Sequence, residues 1–221
     1  MLVPAFAVGR AQLLTLLIGK MFREKKIKPF PIYLDSPMAI EATNIYVKHR
    51  DLFDDEMKTF IRDRPLREDL KTMTPTASAN ESRAINDVGG ACLVMAGAGM
   101  CNGGRILHHL KANLWKPSTQ VLIVGYQGHG SLGRRLVDGA DEVSIFGEKI
   151  AVKAKIHTLG GFSAHAGQTD LMHWFGIVAP SKPNVILTHG EDDQRGALAK
   201  LIQKRHRLPS KSPKMGETIE L

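Results

Sequence analysis

Cysteines, long apolar runs and repeats are all scarce in this chain, and each shortage excludes something. Two cysteines in 221 residues, Cys92 and Cys101, cannot build a disulfide framework, and their spacing matches no zinc ribbon. Both are expected to be reduced, with Cys92 in a core strand. The apolar run from Leu13 to Ile18 is far shorter than the ~20 residues a membrane-spanning helix needs. No signal-peptide pattern of basic, apolar and small residues precedes it, so the expectation is a cytoplasmic protein with no membrane partner. There is no repeat of fixed period and no low-complexity segment. Two chemical motifs are also missing. Neither glycine-rich loop carries the lysine and Ser/Thr of a P-loop, and no His-x-His or His-Glu-x-x-His supplies a catalytic zinc with its usual ligands.

What remains is an ordinary globular composition, 43% hydrophobic and 24% charged, with room for one large domain or two small ones. The net charge of +8 points towards polyanionic partners, and most of the surplus lies upstream of residue 160.

The apolar pattern alternates between strands and helices. Val3 to Val8 reads as a buried strand, followed by a helix from Arg10 to Glu24. Phe30 to Leu34 is a second strand, ending at Asp35-Ser36-Pro37, where Ser36 can cap a helix carrying Pro37 at its first position. Helices are expected over Met38–His49, Asp51–Arg62 and Ser78–Asp87, with a polar loop over Arg64–Ser78. Strands Ala91–Met95 and Val121–Tyr126 each feed a glycine-rich loop and then a helix, Ile106–Leu114 and Leu132–Val137. Strands that are apolar without polar alternation indicate a parallel sheet covered on both faces, with ligands beyond the strand carboxyl ends. Beyond Gly139 two runs, Glu142–Phe146 and Ile150–Ile156, read as a hairpin around Gly147-Glu148-Lys149. Then come helix Thr169–Val178, strand Val185–Thr188, helix Asp192–Arg207 and a last strand at Thr218–Leu221.

Two histidines stand out from the other seven. His165 lies in Gly160-Gly161-Phe162-Ser163-Ala164-His165-Ala166-Gly167, just ahead of a helix start that favours anions. His189 directly follows an apolar strand, beside a glycine and two acids, a suitable place for a metal ligand. His108 and His109 are about 100° apart on one helix and cannot chelate one ion together. His129 sits in a glycine loop, where a histidine is usually only exposed; His49, His157, His173 and His206 have no motif context.

Taken together, Val3-Pro4-Ala5-Phe6-Ala7-Val8-Gly9-Arg10-Ala11-Gln12, Asp35-Ser36-Pro37-Met38-Ala39, Gly99-Met100 with Gly103-Gly104-Arg105, Gly125-Tyr126-Gln127 with Gly130-Ser131-Leu132-Gly133, Phe162-Ser163-Ala164-His165 and Thr188-His189-Gly190-Glu191 closely resemble the β-CASP branch of metallo-β-lactamase-fold nucleases. The resemblance runs through essentially the whole chain in the family's order. It implies an α/β fold: a largely parallel β-CASP sheet flanked by helices over 1–159, and over 160–221 a carboxyl-terminal αβα segment of an incomplete metallo-β-lactamase domain. It implies hydrolysis of an RNA phosphodiester with two zinc ions, His165 facing the scissile phosphate and His189 binding zinc. Substrate contacts are implied at Arg10, Ser36, Gly99, Met100, Arg105, Gly130, Ser131 and Ser163.

The family's remaining metal ligands and the acid that orients the phosphate-facing histidine are absent from these residues; in the family's order they precede residue 1. The chain is therefore expected to be a truncated part of a nuclease, holding no zinc stably and inactive alone. Its expected partners are single-stranded RNA and the missing amino-terminal metallo-β-lactamase half. Apolar faces that this half would cover, including Trp174 and Phe175, favour a homo-oligomer. The alternative is a stand-alone nucleic-acid-binding or partner-binding module without catalysis.

Overall fold

A computed structural model describes residues 1–162 and 165–220, and divides the chain into two compact units, Met1–Ser163 and Ala164–Leu221. The first unit runs β1 (Leu2–Pro4), α1 (Arg10–Arg23), β2 (Ile32–Asp35), α2 (Pro37–Lys48), α3 (Asp55–Arg62), α4 (Leu66–Asp69), β3 (Met73–Pro75), α5 (Ala79–Ala84), β4 (Leu93–Ala96), α6 (Arg105–Asn113), β5 (Gln120–Ile123), α7 (Leu132–Val137), β6 (Glu142–Ile145), β7 (Glu148–Ala151) and β8 (Lys155–Thr158). The second continues with α8 (Gln168–Val178), β9 (Val185–Ile186), α9 (Asp192–His206) and β10 (Ser210–Lys211).

Six strands of the first unit form one sheet in the order β3-β2-β4-β1-β5-β8, and every pairing in it is parallel. Side chains of a strand alternate between faces, and here both faces are buried. Leu2, Val94, Ala96, Val121 and Ile123 point to one side, where they pack with Ile106 and Leu110 of α6 and Leu136 of α7. Val3, Leu93, Met95 and Val124 point to the other, against Leu14, Ile18 and Phe22 of α1. This double burial is why the strands read as unbroken apolar runs. The second unit gathers a separate small core from Met172, Phe175, Ala179 and Ile202. No helix of the described residues is long and apolar enough to cross a membrane.

Several local expectations are corrected. The stretch 64–78 is not simply loop, since it holds α4 and the edge strand β3, whose Met73, Thr74 and Pro75 register with Ile32, Tyr33 and Leu34. The hairpin turns at Phe146-Gly147, so Glu148 pairs with Ile145, and the expected strand 150–156 splits. Its second part becomes β8, which leaves the hairpin to join β5 in parallel. Residues 51–62 are a 3₁₀ turn, Arg50–Leu52, followed by α3, whose start is capped by Asp54 Oδ1 accepting from Met57 N–H at 2.7 Å. No strand forms at 218–220; β10 pairs with β9 instead. Cys92 is only half-buried ahead of β4, whereas Cys101 is fully buried and its thiol is pushed up to about 12 by burial. Phe175 is buried against His206, ring centroids 5.3 Å apart, but Trp174 and Ile177 on the same helix are exposed.

Candidate nucleic-acid interface and histidine loops

All six parallel strands point their carboxyl ends the same way, so the loops after β1, β2, β4 and β5 collect at one end of the sheet. A buried carboxylate ties together the segments that follow β2, β3 and β4. Asp35, the last residue of β2, is 0% exposed, and its two oxygens accept from four side chains. Arg105 Nη1 and Thr76 Oγ1 each donate to Oδ1 at 2.7 Å; Ser82 Oγ at 2.5 Å and His109 Nε2 at 2.7 Å reach Oδ2. Arg105 also donates to the carbonyls of Thr76 at 2.9 Å and Ala77 at 2.5 Å. Burial disfavours the Asp35 anion, but the hydrogen bonds from His109, Ser82, Thr76 and Arg105 outweigh it and hold the carboxyl well below the usual carboxylate range. An ionised carboxylate only accepts, so His109 must carry its proton on Nε2. Its Nδ1 is buried with no hydrogen-bond partner.

Arg105 is the first residue of α6, and the turn feeding it is built on Gly104, at φ 73°. A Cβ there would collide with the Gly97 carbonyl oxygen and lie 2.7 Å from its carbonyl carbon, so only glycine fits. The Gly97 carbonyl in turn accepts from Ile106 N–H at 2.9 Å. Local sequence thus anchors the helix, and the helix delivers Arg105 and His109, four residues apart on one face, to Asp35.

The expected substrate residues are distributed unevenly. Ser36 is nearly buried and caps α2, its Oγ accepting from Ala39 N–H at 3.2 Å; Ser131 caps α7 by accepting from Arg134 N–H at 3.0 Å. Arg105 is engaged with Asp35. Arg10 opens α1 with its guanidinium 5.6 Å above the Phe162 ring, and its Nε is buried without a partner. Gly99 lies in the loop after β4; the next carbonyl, of Met100, accepts from Gly133 N–H at 3.2 Å, which joins that loop to α7. Gly130 stands at φ 78° in open space. Ser163 falls outside the described residues.

In the second unit His165 is exposed two residues ahead of Gly167, whose N–H is accepted by Asp170 Oδ2 at 3.1 Å to cap α8. His189 is exposed in the left-handed region at φ 61°, between β9 and Glu191, the residue that opens α9. Among the described residues no three His, Cys, Asp or Glu side chains converge as a metal site. The donors present therefore do not fit a closed zinc site, which needs about four ligands.

A doubly covered parallel sheet with its loops gathered at one end, followed by a small unit bearing two loop histidines, defines an α/β architecture whose fold alone names no chemistry. Residues 11–136 match the Beta-Casp domain, and residues 149–213 match the Zn-dependent metallo-hydrolase RNA specificity domain. This chain belongs to the β-CASP family. It is 40% identical over 207 residues to "Ribonuclease TTHA0252" of Thermus thermophilus, covering 92% of this chain and 46% of that protein. It is 31% identical over 225 residues to "Transcription termination factor FttA" of Lokiarchaeum, covering 100% of this chain and 35% of the relative. Over 220 residues it is 30% identical to an "RNase J-like protein" of Methanocaldococcus jannaschii, again 100% of this chain and 50% of the other. The chain thus spans half the length or less of these relatives.

Sequence reasoning singled out neither Asp35 nor His109 as a working residue. The signal was available in the strand-terminal aspartate and the Arg105/His109 spacing of four, but the partners lie 70 and 74 residues away from Asp35.

Proposed function

We propose that this chain is the RNA-facing part of a zinc-dependent RNA-processing nuclease. The observation that carries the reading is the family match along nearly the whole chain, with both motif histidines standing exposed on loops that open helices. His165 faces the scissile phosphate, where its ring N–H donates to a phosphate oxygen or delivers a proton to the leaving oxygen. His189 offers one imidazole to a zinc ion whose other ligands come from a metallo-β-lactamase half outside this chain. Zinc, where the whole enzyme binds it, supplies a hydroxide nucleophile at neutral pH. The β-CASP unit holds single-stranded RNA by the strand-end loops, aided by the net charge of +8.

The 221-residue chain with zinc is expected to leave labelled single-stranded RNA uncut, and turnover abolished by His189→Ala would overturn that. Joined to a metallo-β-lactamase half, it is expected to cut RNA and to lose turnover on His165→Ala. Binding of RNA by the chain alone is expected to weaken log-linearly as salt rises. No binding even at low salt would remove the RNA-facing role.

A further inference from the structure

The residue after the buried Ala5 is a phenylalanine that the fold holds at the surface. Phe6 is 44% exposed, although Ala5 before it and Ala11 beyond it are each 2% exposed. It lies just past the carboxyl end of β1, between the loops that follow β4 and β5. Both loops present glycine to it. A Cβ at Gly99 would lie 2.7 Å from Phe6 Cδ2 and 2.8 Å from Cε2; one at Gly125 would lie 3.9 Å from Cε2. The ring therefore rests against the Gly99 backbone in a space that any side chain at 99 would take. Beside Gly125, Tyr126 is a second aromatic residue at this end, 52% exposed.

A single exposed aromatic residue is common and needs no account. A ring seated on a glycine backbone at the ligand end of a parallel sheet, in a chain of net charge +8, is a different matter. Such rings are the stacking platforms of proteins that bind single strands, because every base has a π-face to offer.

We propose that Phe6 is a base-stacking residue: an unpaired nucleobase of single-stranded RNA lies on its exposed face, with Gly99 keeping the ring in place. This rests on the RNA-facing reading above and adds that the bases, as well as the phosphates, are held. The contact is general for all four bases, since stacking reads no hydrogen-bond pattern.

The test compares the 221-residue chain and its variants on two short oligonucleotides of equal length, one carrying 2-aminopurine among its bases and one abasic. Phe6→Ala is expected to weaken the base-bearing strand at least about fivefold and to abolish quenching of 2-aminopurine, leaving the abasic strand unchanged. Phe6→Trp restores both signals. Gly99→Ala, whose Cβ displaces the ring, behaves as Phe6→Ala does. If wild type holds the two strands equally, or if Phe6→Ala loses both alike and Phe6→Trp fails to rescue, the stacking role is overturned while the RNA-facing reading stands. If wild type binds neither strand, both fall together.

Discussion

Replacing Asp35 by asparagine changes one atom at the centre of the first unit and should have a large effect. The amide keeps one acceptor, Oδ1, which can still serve Arg105 and Thr76. The other oxygen becomes an NH₂ facing Ser82 and His109 Nε2. Ser82 can turn its hydroxyl to accept. His109 can accept on Nε2 only by moving its proton to Nδ1, which is buried and has no partner. Arg105, with its side chain about one-fifth exposed, also loses its counter-ion. Breaking one side of a buried charged network costs about 3–5 kcal/mol. At about 2–4 °C per kcal/mol for a chain of this size, the melting temperature should fall by roughly 10 °C. The sign with pH follows from the depressed carboxyl. Its stabilisation is fully present above the unfolded Asp value of about 3.9 and is lost as pH falls towards the folded value. Thermal melts of wild type and Asp35→Asn by circular dichroism should therefore differ most near pH 7 and converge steadily below about pH 4. A midpoint unchanged at pH 7, or a gap that persists undiminished in acid, would refute the assignment of Asp35 as an ionised hub.

Three further outcomes are expected. Gly104→Ala should destabilise by about 2 kcal/mol or more, because it combines a positive φ with a collision at the Gly97 carbonyl; a denaturant midpoint equal to wild type would contradict the geometry. His189→Gly should leave the stability unchanged or raise it by about 1 kcal/mol, since a left-handed non-glycine residue carries strain, yet it removes the proposed metal ligand; a clear loss of stability would show that the imidazole is needed for folding. Cys101 should resist a thiol reagent at pH 8 in the native chain and react only on unfolding, because it is fully buried with its thiol pushed up to about 12. Rapid native labelling, mapped by mass spectrometry to Cys101, would count against that burial.

Much of the fold was legible because parallel strands buried on both faces announce themselves. Leu93 to Ala96 and Val121 to Ile123 are apolar throughout, each flanked by a helical pattern, and both are strands of the sheet. Cap chemistry placed α2, because Ser36 can accept from its own helix; Ser131 caps α7 in the same way, although its motif marked it only as a substrate contact. The errors fell where pairing outvoted local pattern. Met73-Thr74-Pro75 has no strand signature and is a strand because β2 offers it an edge. Lys155–Thr158 reads as the end of a hairpin and leaves it because β5 has an open side. His165 and His189 were singled out from their neighbours in sequence, but what Asp35 and Phe6 touch was not visible, since their partners are remote along the chain.

The sequence by itself determined the parallel α/β class, the family and the two histidine loops, because each is written in local periodicity or in contiguous motifs. Only the tertiary structure decided that Asp35 is the shared anion of three segments, and that Phe6 is held at the surface by Gly99. Both depend on strand order β3-β2-β4-β1-β5, which brings distant segments side by side through backbone hydrogen bonds that any residue except proline can donate.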